Sequence, residues 1–427
     1  MILKYINRSK NSIKLAIDSV LKILSGLVIV KIVSNSYDAS LLANFSQLKM
    51  LSALFVSLTS SFFIVGLNKL SLKYNHSVST SFVSILGGGL VFCGFWLCYF
   101  FEQEINDIIG KELVGGLLFL IILLVFGYLS NFLIGLSVRE KRNVRLANAR
   151  IIATLMSFLL FVVLNHKAND IWFSLAVYLL SYYMFLSCFL YQSSLFRFLK
   201  SDLVFDKNIF YDFVKIYVLT VFSSIVFPIC IVYFRYSLSE MESWQWVSAW
   251  EIEWQLSSLV LLVLSPVLSL SVTTYFTEKL RKQELSRTMI SRSIVIFSIG
   301  CFLVFCFIYN IREYLIKYLF NTEIMNKKFE SSFIIMMAIN FFRIISVFMF
   351  FILYIILDPR KLIVSEVIFG ISFYMSLNYL SPLLWDHNFN LLVPVVLSFI
   401  YLVYLLFSSD FFNKNDLASW QSNVKRT

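Results

Sequence analysis

Long apolar stretches alternate with short polar links along this chain. Twelve apolar runs lie at about 12–34, 39–67, 78–101, 113–136, 146–164, 171–191, 209–236, 244–272, 288–309, 331–357, 361–380 and 391–409. Each is near the roughly 20 residues a helix needs to cross a bilayer core of about 30 Å. A β-barrel would instead show alternating segments of about ten residues. The pattern therefore predicts an all-α, polytopic membrane protein with twelve transmembrane helices.

The connection RFLKSDLVFDKNIFYDFVK, residues 197–215, is the longest polar link. It divides the chain into a six-helix bundle at 1–196, a linker running into the start of helix 7 at 197–215, and a second six-helix bundle at 216–427. A faint echo supports two halves. Helix 2 opens with Asn44, Ser46 and Gln47, and helix 8 opens with Glu251, Glu253 and Gln255. Repeats of this kind mark transporters that rock one bundle against the other.

Charge adds orientation. With the N-terminus inside, the cytoplasmic segments hold 25 of the 36 Lys and Arg residues. The outer side holds Lys31, Lys111, Lys167, Arg235, Arg312, Lys317, Lys327 and Lys328. Lys22, Lys49 and Arg343 remain inside runs. The asymmetry places both termini in the cytoplasm. Trp96, Trp172, Trp244, Trp246 and Trp385 fall near the expected outer ends, as an interfacial belt would. The basic N-terminal stretch MILKYINRSKNSIK has no small-residue cleavage site after it and is read as uncleaved.

Composition narrows the function classes. Hydrophobic residues make up 59% of the chain and charged residues 14%, against about 25% charged in a soluble domain. Neither a P-loop nor GxGxxG occurs, which argues against ATP hydrolysis by this chain. The six cysteines all lie inside apolar runs without a CxxC pattern, and the three histidines are scattered. Structural disulfides and a metal site are therefore not expected. The expectation is a non-enzyme without a cofactor, a nucleic-acid partner or a metal.

The charges left inside the runs carry the functional signal. Arg343 sits mid-run in INFFRIISVFMFFILYIIL, residues 339–357. Arginine keeps its charge, and at the bilayer centre that costs about 2.5–3.5 kcal/mol on insertion scales. Ser332, Met336, Asn340, Ser346 and Tyr354 share its face within about 60° at helical spacing. Arg343 is thus expected to face the interior, either in a functional cavity or in a buried ion pair. On helix 1, Lys22 lies four residues after Asp18 and can pair with it. On helix 2, Lys49 runs beside Ser52, Ala53 and Ser60. On helix 8, Trp246, Trp250 and Trp254 recur every four residues, with Glu251 and Glu253 beside them. Aromatic planes can stack on sugar rings, and carboxylates can accept sugar hydroxyls or carry a coupling ion. Deep cations outnumber deep anions, so the expected central cavity is basic and suits an anionic solute such as pyrophosphate.

Several segments resemble the Wzx flippases of lipid-linked O-antigen and enterobacterial common antigen units, within the multidrug/oligosaccharidyl-lipid/polysaccharide exporter (MOP) superfamily. LLANFSQL (41–48) resembles that family's helix-2 opening, with Asn44, Phe45 and Gln47. VGLNKLSLKY (65–74) resembles its helix-2 exit, with Gly66, Lys69 and Tyr74. VSAWE (247–251) resembles a helix-8 segment through Trp250. NFFR (340–343) resembles a helix-10 segment in which an acid precedes a base by three residues, and here Asn340 stands for the acid. A proline expected near Thr274 is missing.

The resemblance implies a flippase that carries undecaprenyl-pyrophosphate-linked oligosaccharide from the cytoplasmic to the periplasmic leaflet of the bacterial inner membrane. Implied substrate contacts are Arg343, Lys22, Lys49, Asn340, Asn44, Gln47, Lys69 and Trp250. Ion-coupling candidates are Glu251, Glu253 and Asp18, with membrane potential, H+ or Na+ as the drive. Expected partners are the lipid-linked oligosaccharide, membrane lipids, a polysaccharide polymerase and a chain-length regulator, and the chain is expected to be a monomer. Two alternatives stand beside this reading. One is a cation-coupled multidrug efflux protein of the same fold, which would favour buried carboxylates. The other is a polytopic membrane enzyme such as an O-antigen polymerase, which would need a sizeable outer loop or an acidic catalytic motif.

Overall fold

The computed structural model describes residues 2–36, 40–71, 76–112, 116–139, 142–167, 170–191, 207–241, 243–268, 286–319 and 330–356. It also describes isolated positions at 272, 275, 276, 279, 396 and 400. The protein is all-α, and no strand occurs among the described residues. In chain order the helices are α1 (Ile2–Ser36), α2 (Ser40–Ser71), α3 (His76–Phe100), α4 (Glu102–Ile109), α5 (Gly116–Arg139), α6 (Asn143–Lys167), α7 (Ile171–Leu190), α8 (Lys207–Met241), α9 (Trp244–Val267), α10 (Arg287–Leu319) and α11 (Glu330–Ile356).

The first ten apolar runs each correspond to one long helix. The runs at 361–380 and 391–409 lie outside the described residues, apart from positions 396 and 400. Among the described helices, five are apolar over a length that crosses a membrane: Ser40–Leu58, Leu118–Val138, Val144–Lys167, Ile171–Leu190 and Thr288–Tyr318. Their surfaces agree. On α10, Ile296, Phe302, Leu303 and Phe307 are each more than half exposed. Such a surface suits lipid, because contiguous exposed apolar area of that size is rare on a soluble monomer. The protein is a multi-pass membrane protein.

Two features differ from the sequence expectation. The short helix α4 falls in what hydropathy reads as a link. It is amphipathic: Ile105 and Ile109 are buried and Glu104 and Asp107 exposed. Eight residues are too few for a hydropathy window to register. The helices also overrun their apolar cores. α10 continues to Leu319, ten residues past its run, and so carries Arg312 on a helix and not in a loop. Polar turns satisfy their own backbone as well as apolar ones do, so hydropathy ends before the helix ends.

The chain forms two compact units. One comprises Met1–Ser25 and Ala43–Trp244, the other Gly26–Leu42 and Gln245–Thr427. This grouping follows compactness; the six-plus-six repeat read from the sequence remains a proposal.

In the first unit, α6 and α5 pack along α7, and α3 packs on α5. A core of Phe63, Phe132, Leu133, Leu136, Leu146, Ala153, Leu186 and Phe213 fills one end. A Cβ at Gly127 would meet Val56 at 2.5 Å, so α5 approaches α2 there only because the residue is small. At the other end Asp170 caps α7, its carboxylate accepting from Trp172 N at 2.9 Å. Gly110 ends α4 in the left-handed region at φ 74°, its N–H donating to the carbonyls of Asn106 and Asp107. That is an ordinary glycine C-cap. The Trp244 indole lies where a Gly110 Cβ would be, so the position demands glycine twice over.

In the second unit, α10 packs on α11. Phe297 and Phe348 stack with centroids 4.4 Å apart, and Phe305 meets Phe341 edge-on at 5.8 Å.

Candidate functional site

The first unit gathers the helix-1 charges. Asp18 is 1% exposed. Its Oδ2 lies 3.6 Å from Lys22 Nζ and 3.9 Å from Arg150 Nη1 on α6. The pairing of Lys22 with Asp18 is as the four-residue spacing predicts. The second cation is new. Arg150 was counted with the cytoplasmic segments, although it sits four residues inside the fifth run; that position was the available signal. Lys22 also lies 4.8 Å from the Tyr182 ring centroid, and its side chain is 37% exposed. One turn before Asp18, Lys14 donates to Asn148 Oδ1 at 3.2 Å. Two polar rungs thus join α1 to α6. The Oδ1 of Asp18 accepts no hydrogen bond among the described residues.

On α2, Gln47 is fully buried. Its Nε2 donates to Val232 O on α8 at 2.9 Å and to Ile108 O on α4 at 3.3 Å. A side-chain amide spent on two backbone carbonyls ties three helices together, and in this conformation Gln47 meets protein on all sides. Asn44 is buried one turn earlier. Lys49, by contrast, is exposed, as is Ala53 one turn on, while Ser52 is buried. The small, polar stripe expected beside Lys49 is therefore split between inside and outside. The side chain of Lys69 lies outside the described residues.

The expected tryptophan belt also divides. Trp96 is exposed and stacks on Phe100 at 5.7 Å among other exposed aromatics of α3. Trp172 is buried, donating its Nε1 to Glu112 O at 2.8 Å with Lys111 against its ring. The first suits an interface; the second holds the loop after α4 to the start of α7. The side chain of Trp246, and Trp385 altogether, lie outside the described residues.

The second unit holds the helix-8 and helix-10 candidates. Trp250 and Trp254 stack at 5.2 Å with an interplanar angle of 11°, and both are buried. Their repeat is real, but each ring presents a face to the other. Glu251 is 3% exposed and accepts from Gln255 Nε2 at 2.9 Å. Glu253 is 2% exposed. Asn340 on α11 is fully buried and donates to Ser257 Oγ on α9 at 3.0 Å and to Met336 O at 3.1 Å. Its Oδ1 finds no hydrogen-bond partner among the described residues.

Arg343 is half-buried, one turn along α11 from Asn340. The expected polar inner face of this helix shares its burial with Ile339, Ile344 and Ile345. The contrast of faces is weaker than spacing predicts, because α11 is packed from several directions.

Two further arginines counted with the outer side are buried. Arg235 on α8 is 1% exposed and Arg312 on α10 is 7% exposed. The Arg312 guanidinium lies 4.3 Å from the Tyr309 ring centroid. The sequence signal differs: Arg235 stands one residue inside the end of the seventh run, and Arg312 stands three residues past the ninth. Lys31, expected to reach outward from the end of helix 1, sits 3.9 Å from the Tyr318 ring centroid. No group of three or more His, Cys, Asp or Glu suited to a metal occurs among the described residues.

No protein-family profile matches the chain, and no curated protein sequence does. Solved structures do match its fold. A multidrug MATE family transporter of the MOP superfamily, described as inward-facing, aligns with a TM-score of 0.63 at 14% identity, covering 95% of this chain and 96% of that one. A MATE protein in complex with MaD5 aligns with a TM-score of 0.67 at 14% identity, covering 97% and 96%. A MOP superfamily transporter from Pyrococcus furiosus, described as having a binding pocket of reverse polarity that suggests a different function, aligns at 0.62 and 13% identity, covering 98% and 97%. The chain therefore shares its fold with these MOP-superfamily transporters.

Proposed function

We propose that this protein is an alternating-access flippase for an oligosaccharide linked to undecaprenyl pyrophosphate, an O-antigen repeat unit being the favoured cargo. It would act in a bacterial inner membrane with both termini cytoplasmic. The observation that carries the reading is Arg343, a half-buried guanidinium midway along a membrane helix. A guanidinium suits phosphate oxygens in bidentate geometry. The shared MOP fold supports a transporter, and the Wzx-like segments support this cargo class.

The test is restoration of O-antigen display in a flippase-deficient cell. Arg343→Ala inserts normally but abolishes display, and Arg343→Lys retains part of it. Full display by the alanine variant at normal expression would overturn the proposal. The membrane potential assists export, because the pyrophosphate carries negative charge out of a negative interior, about 2.3 kcal/mol per charge per 100 mV. Translocation in proteoliposomes therefore slows when potassium and valinomycin clamp the potential at zero.

Multidrug efflux is the second reading, favoured by the MATE likeness and by the buried carboxylates Glu251 and Glu253. Raised resistance to organic cations on expression, lost in Glu251→Gln, would support it against the flippase.

A further inference from the structure

A groove of about 470 Å³ opens where the first turns of α6 meet the last turn of α7. Its polar lining is Arg142, Arg145 and Asn148, and its apolar lining includes Val144, Ile152 and Phe189. These three apolar side chains are 38–41% exposed. Arg145 donates to Tyr191 O at 3.4 Å, which holds its guanidinium across the α6–α7 junction. A guanidinium has five N–H donors, so one such bond leaves others for a ligand. Lys14 donates to Asn148 at 3.2 Å and brings a third cation to the same rim.

The groove does not end in protein. Beyond Ile152, the exposed residues Leu155, Leu159, Val162 and Val163 continue along α6 at helical spacing. From Val144 to Val163 this apolar track is about 28 Å long at 1.5 Å per residue, near the thickness of a hydrocarbon core. A cationic head site thus opens onto an apolar track running along the membrane-crossing direction of the helix. The charged end is also the end that the Lys and Arg count assigns to the cytoplasm. Basic pockets at that depth between membrane helices are suited to anionic head groups.

We propose that this groove is a binding site for a resident anionic phospholipid of the inner leaflet. Its phosphate sits between Arg142 and Arg145, and one acyl chain lies on the α6 track past Ile152. A free phosphate would use the guanidiniums but leave the track unfilled. A zwitterionic lipid would fill the track but bring its own cation to a basic rim. The site is separate from Arg343 and does not depend on what the protein transports.

The experiment is thermal unfolding and native mass spectrometry of the delipidated full-length protein. Dioleoyl phosphatidylglycerol, dioleoyl phosphatidylcholine, inorganic phosphate and undecaprenyl diphosphate are titrated in parallel. Phosphatidylglycerol raises the unfolding temperature and is retained as one lipid per chain, and phosphatidylcholine is not. Arg142→Ala/Arg145→Ala weakens phosphatidylglycerol about thirtyfold, the loss of two cations at a membrane surface. Arg142→Ala alone gives a smaller loss in the same direction, so the readout survives if the double variant folds poorly. Equal response to phosphatidylcholine, or an unchanged response in both variants, overturns the proposal. Stabilisation by inorganic phosphate alone overturns it in favour of a simple anion site. Saturation by undecaprenyl diphosphate well below the phosphatidylglycerol concentration overturns it in favour of a docking point for a polyprenyl carrier.

Discussion

The charged trio of the first unit and the amide site of the second handle buried polarity in opposite ways. Asp18 is buried between two cations, and the set carries its own counter-charge. Asn340 is buried as a neutral amide on Ser257 and Met336. Two cations share one carboxylate, so the trio keeps a net charge of +1, with each cation holding a counter-charge at 3.6 or 3.9 Å. The difference directs attention to Asp18 for stability.

The sharpest way to break that contrast is to remove the acid. Asp18→Asn leaves Lys22 and Arg150 facing each other without a counter-charge. Losing one partner of a buried ion pair costs about 3–5 kcal/mol, and the drop is read as a fall in unfolding temperature in detergent. Adding Arg150→Gln to Asp18→Asn restores part of it. A stable Asp18→Asn protein would show that the trio is hydrated and not a closed unit.

A smaller effect is expected at the amide. Asn340→Ala removes the bond to Ser257 and costs about 1–2 kcal/mol. No charge is stranded there, which is why the loss stays below that of Asp18→Asn. A larger loss at Asn340 would reverse the ranking.

Ser257→Ala removes only the hydroxyl end of the same bond, since Asn340 keeps Met336 O as a partner. It costs about 0.5–1.5 kcal/mol. A double-mutant cycle over Asn340 and Ser257 should return a coupling of at least about 0.5 kcal/mol. Strict additivity would mean the two do not share a bond.

The smallest effect belongs to Lys22. Its side chain is 37% exposed, so Lys22→Ala costs at most about 1 kcal/mol after solvent screening. In a background without native cysteines, Lys22→Cys reacts with a small polar thiol reagent and Asp18→Cys does not. Protection of both would place Lys22 inside the closed pair.

Much of this was legible in the sequence, but unevenly. Ten runs became ten long helices because apolar length alone decides what can cross a membrane. The Asp18–Lys22 pair was legible because four residues along a helix bring side chains together whatever surrounds them. Trp250 and Trp254 were legible for the same reason. Arg150 was not, because its link to Asp18 joins helices more than 130 residues apart in the chain. The dual bond of Gln47 was hidden likewise: its partners are backbone carbonyls of α4 and α8, and sequence does not mark a carbonyl. Helix α4 escaped because its burial depends on a mixed set of residues over only two turns.

By itself, then, the sequence determined what depends on one segment at a time: membrane helices, their order, their charge bias, and pairs one turn apart. The tertiary structure decided which polar side chains are enclosed, which of them answer one another, and which, like Lys49, stay outside. The physical reason is range. Hydropathy and helical spacing are local properties of the chain. Burial and counter-charge are properties of whichever distant helix packs alongside, and the cost of leaving a polar group unmatched is settled only there.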